Sequence, residues 1–174
     1  MLFQTLVAAF FFTTLVQARN ITIQNIGSRS LSVSITGQND FTVLPNGAVL
    51  VAVSEDFSGT ISAVPVGSEV KNVRTQAHFT LGSISDTFAV SLIEGFNVGV
   101  KIVSIGSNCG KSVCMANLLT VCPLANQVIS SVGTVEACTN DVTTFRWKCP
   151  TAVVAAEDLA VTCTGASSYK VLFV

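Results

Sequence analysis

The first part of the chain alternates apolar and polar residues in short runs. Between residues 19 and 103 the runs recur about every ten residues, and turn-forming segments such as Pro45-Asn46-Gly47 and Glu94-Gly95 separate them. Strict alternation is typical of strands with one buried face. We therefore expect an all-β, antiparallel fold of the sandwich or jelly-roll type. The apolar positions are Ile21 and Ile23; Leu31, Val33 and Ile35; Val49, Val51 and Val53; Ile61 to Val64; Phe79 and Leu81; Phe88, Val90 and Leu92; and Val98, Val100 and Ile102.

The first two runs predict a β-hairpin. The segment Gly27-Ser28-Arg29-Ser30 separates Ile23 from Leu31, and a glycine-containing link between two alternating runs favours direct pairing of the two strands. The link is longer than the two residues of the tightest hairpins.

The segment from 104 to 166 loses the strict alternation and holds all six cysteines. Met115 to Thr120 and Thr143 to Lys148 are each long enough for one or two helical turns, which need outside support. Phe145 and Trp147 are expected on the packing face of the second helix, with stacking on a sugar ring as the alternative. Residues 167–174 alternate again, so a last strand is expected to rejoin the sheet. We expect one domain, with a core from 19–103 and 167–174 and an excursion from 104–166.

Residues 1–18 have the features of a secretory signal peptide. They carry no charged side chain, contain a mostly apolar stretch from Leu6 to Val16, and end in Val16-Gln17-Ala18. A membrane anchor is the weaker alternative, because Thr13 and Thr14 interrupt a run shorter than the roughly 20 residues that a bilayer needs. We expect cleavage after Ala18 and a secreted protein with no membrane association after signal removal.

Composition and charge exclude several classes of function. Of the 174 residues, 49% are hydrophobic and 11% charged, with a net charge of −1. This balance provides no basic surface for nucleic acid. A single histidine, His78, cannot form a multi-histidine metal site, and no glycine-rich phosphate loop is present. We therefore expect no metal and no cofactor. Asn20-Ile21-Thr22 is a possible glycosylation sequon.

Six cysteines in a secreted chain predict disulfides. Their number is even, no Cys-x-x-Cys pair occurs, and an oxidising compartment favours bond formation over zinc binding. Six thiols allow 15 pairings, and the spacing by itself does not choose among them.

The spacing of the first three cysteines resembles that of the thaumatin-like (pathogenesis-related) family. Cys109-Gly-Lys-Ser-Val-Cys114 is followed, after seven residues, by Cys122-Pro123. Other segments resemble the same family in the same order along the chain. They are Ala77-His78-Phe79-Thr80-Leu81, Val90 to Val98, Cys149-Pro150 and Cys163 to Phe173.

The resemblance implies one pairing of the cysteines: Cys109 with Cys163, Cys114 with Cys149, and Cys122 with Cys138. The family also joins its N-terminal strand to its last residues by a disulfide whose two positions correspond here to Gly27 and Val174. Because both cysteines are absent together, we expect the two Cα atoms still to lie about 4.4–6.8 Å apart, or slightly more. The family's cysteine-rich loop domain has no counterpart between Val64 and Gln76, which is the pattern of a small form.

Members of the family carry an acidic cleft of one Arg, one Glu and three Asp, to which glucan binding and weak glucanase activity are attributed. By resemblance, the Glu corresponds to His78, the first Asp to Ala89 and the second to Glu94. The third Asp would lie near Glu157 or Asp158. The Arg lies in the shortened segment, where Lys71 or Arg74 could take its place.

Glycoside hydrolysis needs two carboxyl groups at a defined separation. Glu94 with Glu157 or Asp158 is the remaining, weak catalytic candidate, and no catalytic residue is assigned. Glu94, Asp86, Arg74 and His78 are candidate binding residues. The simpler interpretations are a turn residue for Glu94 and a hydrogen-bonded strand residue for His78. Asp86 lies three residues before Ala89, so on a regular strand it points to the opposite side.

We therefore expect a monomeric, secreted binding protein, directed at a β-1,3-glucan, another cell-wall polysaccharide or a secreted protein, with a defence-related or cell-wall role. The alternatives are a weak endo-β-1,3-glucanase and a secreted scaffold or effector that has lost the acidic cleft.

Overall fold

The computed structural model describes residues 18–139 and 141–174. The predicted signal segment lies outside the described residues, apart from Ala18, which opens the first strand. Within these ranges the chain forms thirteen β-strands and one α-helix. They are β1 (Ala18–Asn25), β2 (Leu31–Ile35), β3 (Phe41–Val43), β4 (Ala48–Ser54), β5 (Ser58–Pro65), β6 (Gln76–Thr80), β7 (Asp86–Ser91), β8 (Val100–Ile105), β9 (Ser112–Cys114), β10 (Gln127–Ile129), β11 (Val135–Cys138), α1 (Val142–Lys148), β12 (Val161–Cys163) and β13 (Ser168–Phe173).

Two sheets form a sandwich, which confirms the predicted fold class. One sheet has five strands in the order β4-β1-β13-β8-β9, and the other has six in the order β12-β7-β6-β5-β2-β3. Strand β13 lies between β1, to which it is parallel, and β8, to which it is antiparallel. The predicted return of the last strand to the sheet is thus confirmed. The β10-β11 pair is a separate two-stranded sheet.

The predicted hairpin of the first two runs is wrong. β1 pairs with β4 and β13, whereas β2 pairs with β3 and β5 in the other sheet. The link at 27–30 therefore crosses from one sheet to the other at the end of the sandwich. Both strands bury alternate residues in one shared core, so their hydrophobic patterns are the same as those of a hairpin.

The core forms where the inner faces of the two sheets meet. In β13 the residues Tyr169, Val171 and Phe173 are buried, as their alternation predicts. The ring of Tyr169 packs edge-on against Phe79 and Phe88 of the six-stranded sheet, with ring centroids 5.2 and 5.4 Å apart. Such tilted aromatic pairs add to the stabilisation from burial alone. These contacts hold the two sheets together near their centre.

Three disulfides join the 104–166 segment to itself and to the sheets. Cys109 is bonded to Cys163, Cys114 to Cys149, and Cys122 to Cys138. These are the pairs that the resemblance implies. Two strands from this segment extend the sandwich, since β9 pairs with β8 and β12 pairs with β7.

The helix α1 is short and is stabilised at both ends. Asp141 caps its N-terminus by accepting a hydrogen bond from the Thr144 amide (3.1 Å), and the Cys114–Cys149 bond anchors the residue that follows it. Phe145 is buried, as expected. Trp147 is 74% exposed, so the expectation that it packs inward is wrong. On a helix these two side chains lie about 200° apart, and only one of them can face the core.

The backbone near Gly27 lies against the last residue of the chain. A Cβ placed on Gly27 would lie 3.6 Å from the Val174 Cα, so the two Cα atoms are no more than about 5 Å apart. The Ile26 amide donates to the Phe173 carbonyl (2.8 Å), and Val174 exchanges hydrogen bonds with Gly99. The expected proximity is confirmed, and main-chain hydrogen bonds hold the junction in place of a disulfide.

Candidate functional site

The outer face of the six-stranded sheet, the face turned away from the core, is covered with short polar side chains. Strand β6 alternates buried Ala77 and Phe79 with residues that point outward. Because neighbouring strands are in register, outward side chains of adjacent strands form rows across the sheet. Two adjacent rows consist of Ser34, Ser62, Gln76 and Ser91, and of Thr60, His78 and Ala89.

A groove of about 230 Å³ lies on this face beside His78, and we call it the His78 groove. The segment 153–160 forms one wall. It is held to the sheet through Val153, whose amide donates to the Val90 carbonyl and whose carbonyl accepts from the Leu92 amide, both at 2.8 Å. The short side chains of Thr80, Thr87, Ala89 and Ser91 line the groove from the strands, and Ile93, Val153 and Ala160 add apolar side chains.

A hydrogen-bonded row connects Glu94 to His78 through Gln76. The Gln76 amide nitrogen donates to Glu94 Oε2 (2.9 Å), which turns the amide oxygen towards His78 Nε2 at 2.7 Å. Since an amide oxygen only accepts, His78 Nε2 carries the proton and donates. In the neutral ring, Nδ1 is therefore the free acceptor. The row presents one oriented imidazole at the rim of the groove.

The pKa of His78 is lowered from its ordinary value of 6.5. The first cause is burial of the ring among its neighbours, which disfavours the charged form; the nearby Glu94 carboxylate raises the pKa and offsets only part of this effect. His78 is thus predominantly neutral at pH 7, able to donate from one ring nitrogen and accept at the other.

A turn after β7 positions Glu94. Gly95 adopts a positive φ of 103°, and a Cβ there would lie 2.6 Å from the Cys138 carbonyl oxygen. Only glycine fits this close approach. Glu94 is therefore the turn residue of the simpler interpretation, and it also bonds to the polar row. It does not line the His78 groove itself.

Asp158 lines the groove, but its carboxylate is occupied by protein contacts. It accepts from the amides of Val154 (2.8 Å) and Ala155 (3.0 Å) and from both Nη atoms of Arg146 (2.7 and 3.3 Å). The backbone hydrogen bond from Val154, followed by the Arg146 guanidinium, lowers the pKa of Asp158. Asp158 is therefore an ionised, structural carboxylate that fixes the wall.

Glu157 lies beside the same guanidinium, with Oε1 4.0 Å from Arg146 Nη2. Its side chain is 77% exposed. The two candidate acids from this segment are therefore sequence neighbours grouped on one arginine. They do not face each other across the groove.

The binding role expected for Asp86 is wrong, because its side chain points into the core and is 4% exposed. One oxygen accepts from Arg19 Nη2 (2.7 Å) and from the Tyr169 hydroxyl (2.6 Å), and the other accepts from the Gly82 amide (3.0 Å). Burial, followed by the Asp86 hydrogen bond, raises the pKa of Tyr169 well above its ordinary value. This network joins β1, β7 and β13.

The alternation of apolar residues in the sequence contained a signal that Asp86 is buried. Asp86 has the same alternation parity as Phe88 and Val90, both of which are buried. The partners of Asp86 were not visible, because Arg19 is 67 positions away and Tyr169 is 83 positions away.

Arg74 lies on the outer face of the same sheet, away from the His78 groove. Its Nη1 donates to Ser62 Oγ (3.3 Å), and its Nε donates to the Lys71 carbonyl. Asn20, the sequon residue, is exposed on β1 in the other sheet, where it pairs with Ser168.

The four candidate carboxylates are each paired with a protein group. Of the carboxylates considered from the sequence, Asp86 is in the core, Glu157 and Asp158 share Arg146, and Glu94 bonds to Gln76. A hydrolytic pair must instead flank the scissile bond, with one member protonated. The groove offers hydroxyl groups and one imidazole, which are hydrogen-bonding groups for a polar ligand.

Within residues 18–139 and 141–174, no helix has the length and apolar character to cross a membrane. In the same ranges, no three His, Cys, Asp or Glu side chains lie together in a group able to hold a metal ion.

Comparison with known proteins defines the class of the fold. The chain superimposes on the thaumatin-like xylanase inhibitor TLXI with a TM-score of 0.53, covering 88% of this chain and 97% of that one at 11% identity. At this identity the match shows the fold alone. The protein is a β-sandwich of the thaumatin-like class.

The sequence model of the Thaumatin family matches residues 55–148, and the chain belongs to this family. A pathogenesis-related thaumatin-like protein 3.5 of Cryptomeria japonica is 30% identical over 137 residues, which are 64% of this chain and 56% of the relative. A protein of Prunus avium named glucan endo-1,3-beta-glucosidase is 28% identical over 95 residues, which are 53% of this chain and 39% of the relative. The chain thus spans about half, or less, of these relatives.

Proposed function

We propose that this chain is a secreted, defence-related or cell-wall-directed binding protein, and that it binds a β-1,3-glucan or a similar cell-wall polysaccharide in the His78 groove. The observation that carries the proposal is the groove itself. Where the family resemblance would place a Glu and an Asp, it has a neutral His78 and a short Ala89, beside the hydroxyl groups of Thr80 and Thr87 and apolar side chains such as Ile93. Such a groove hydrogen-bonds sugar hydroxyl groups and lacks the paired carboxyl groups of a hydrolase.

Secretion is supported by the three disulfides and by the features of the first eighteen residues. Disulfides persist in oxidising compartments and are rare in the cytosol. A role in defence is supported by membership of the family and by the name of the pathogenesis-related relative.

The proposal is tested by retention of the secreted protein on insoluble β-1,3-glucan. Ala89→Leu fills the groove from its floor, whereas Ala52→Leu adds the same atoms to an exposed position of β4. We expect Ala89→Leu to reduce retention strongly and Ala52→Leu to leave it unchanged. Unfolding midpoints of both variants show that a loss of binding is not a loss of folding.

Two outcomes would replace the proposal. If the wild-type protein is not retained at low and moderate salt, the partner is not this glycan, and a secreted protein or a scaffold role becomes the better explanation. In that case the first assay is inhibition of secreted glycoside hydrolases, because the structural neighbour is named a xylanase inhibitor.

The second outcome concerns the weak glucanase alternative, which the name of the Prunus avium relative keeps open. Release of reducing sugar from laminarin by the wild-type protein, abolished by Glu94→Gln, would make the protein an enzyme. We expect no release above that of the variant.

A further inference from the structure

A second groove, with a volume of about 360 Å³, lies on the outer face of the six-stranded sheet, over β2, β3 and β5. We call it the Arg74 groove. Its floor carries the hydroxyl groups of Ser32, Ser34 and Thr42. One wall is the connection between β5 and β6, residues 66–75, which contributes Lys71 and Arg74. This is the connection that is shortened relative to the resembled family.

A carboxylate holds this wall in place. Glu136, on β11, accepts through Oε2 from Ser68 Oγ (2.6 Å), the Glu69 amide (3.1 Å) and the Val70 amide (3.2 Å). Three donors from consecutive residues on one oxygen fix the local course of the chain. The Ser68 hydrogen bond is the first cause of a lowered pKa for Glu136, so the contact persists in mildly acidic solution.

A second carboxylate makes the reverse connection. Glu69, on the wall itself, accepts from the Ser131 amide (2.8 Å) and from the Ser131 hydroxyl (2.5 Å), beyond β10. The wall and the β10-β11 sheet are therefore joined by two carboxylates, one supplied by each of them. The wall is a positioned element, and its two cationic side chains extend from a fixed backbone.

Arg74 lines the groove and keeps unused hydrogen-bond donors. Its Nε and Nη1 donate to the Lys71 carbonyl and to Ser62, which leaves three of its five N–H groups without a protein partner in the described ranges. Neither Lys71 nor Arg74 forms an ion pair within residues 18–139 and 141–174. Asp40 is the carboxylate that lines the same groove. Two cations thus face one acid, above a floor of hydroxyl groups.

We propose that the Arg74 groove binds a uronic-acid-containing oligosaccharide. The sugar carboxylate would pair with the free N–H groups of Arg74 and with the Lys71 ammonium group, since an arginine fork matches a carboxylate in geometry and charge. Sugar hydroxyl groups would bond to Asp40 and to the floor. A neutral glucan has no charged group that could form an ion pair with the two cations. This groove is separate from the His78 groove, so its test does not depend on the test for β-1,3-glucan.

The test measures binding of oligogalacturonate to the secreted protein by calorimetry at low ionic strength. The comparison ligands are the carboxyl-reduced neutral oligosaccharide of the same length and poly-glutamate of similar charge. We expect oligogalacturonate to bind at least about tenfold more tightly than either one, because only it combines carboxylates with sugar hydroxyl groups. Equal binding of poly-glutamate would show that the groove responds to charge alone and would overturn the assignment to a saccharide.

Variants locate the site. Lys71→Gln/Arg74→Gln is expected to weaken oligogalacturonate binding about tenfold or more, while Lys101→Gln, on β8 in the other sheet, removes a charge elsewhere and should change it little. Glu136→Gln, which loosens the wall, should weaken the same binding and leave retention on β-1,3-glucan unchanged. The absence of binding, or equal effects of the Lys71/Arg74 and Lys101 variants, would overturn the proposal.

Discussion

The junction between Gly27 and Val174 offers the most direct test of the fold and of the family alignment. The perturbation is Gly27→Cys/Val174→Cys, which introduces a fourth disulfide where the resembled family has one. The two Cα atoms are no more than about 5 Å apart, which is close enough for a bond whose Cα atoms usually lie 4.4–6.8 Å apart. A new Cβ on Gly27 would lie 3.3 Å from Asn25 Oδ1, so that side chain must shift by a few tenths of an ångström.

The magnitude follows from the loop that the new bond closes. The Cys109–Cys163 bond already shortens the path, so the loop runs from 27 to 109 and from 163 to 174. Restricting about 95 residues in the unfolded chain is worth at most about 4.7 kcal/mol, and engineered bonds usually reach part of the entropic limit. We expect about 3 kcal/mol, which for a chain of this size raises the unfolding midpoint by about 6–12 °C.

The assay is thermal unfolding of the oxidised variant beside Gly27→Ser/Val174→Ser, which adds similar atoms without a bond. Mass mapping must first show the new pair together with the three native ones. If the bond forms and the midpoint equals that of the serine variant, the entropic reasoning is wrong. If no bond forms while both thiols are intact, the described junction is wrong.

Three further predictions concern ionisable groups. Asp86→Ala should destabilise the fold by about 3 kcal/mol, because it leaves a partly buried arginine and the Tyr169 hydroxyl unpaired. Tyr169→Phe should cost only about 1 kcal/mol. Equal and small changes for both variants in chemical denaturation would contradict the hydrogen-bond network around Asp86. The imidazole of His78 should titrate by NMR below pH 6.5, and Glu94→Gln should lower its pKa further by removing the negative charge. A rise in the pKa of His78 in that variant would contradict the expected effect of Glu94. The folded-state pKa of Glu136 is lowered from 4.5, so the stabilisation by this carboxylate is present above pH 4.5 and is lost as the pH falls through the lower, folded-state pKa. In that acidic range the stability of the wild-type protein should fall more steeply than that of Glu136→Gln. Parallel stability curves would exclude the contact.

Part of this fold could be predicted because its signals are local or carried by residue type. Alternation located the strands, since burial of one sheet face requires apolar residues at every second position. The cysteine spacing led, through the family resemblance, to pairs identical with those observed. The paired absence of two further cysteines correctly placed Gly27 beside Val174.

The partners of β1 and the solvent exposure of Trp147 could not be predicted in the same way. A strand that crosses to the other sheet has the same hydrophobic pattern as one that turns back in a hairpin, so the pattern does not identify its neighbour. Trp147 and Phe145 share one short helix, and which of the two is buried depends on how that helix packs against the rest of the protein. The candidate site shows the same division, since His78 and Glu94 lie on the outer face while Asp86 lies in the core.

The amino-acid sequence by itself determined that this protein is a disulfide-bonded β-sandwich. It also determined that two acidic positions of the resembled family's cleft are not acidic in this chain. Strand periodicity and the cysteine content are sufficient for the first conclusion, and the second follows from the family resemblance. Only the tertiary structure decided which carboxylates are free to meet a ligand. Contacts between residues more than sixty positions apart place Asp86 on Arg19 and Glu136 on Ser68. Such contacts depend on how the sheets and loops pack, and local sequence pattern does not encode that packing.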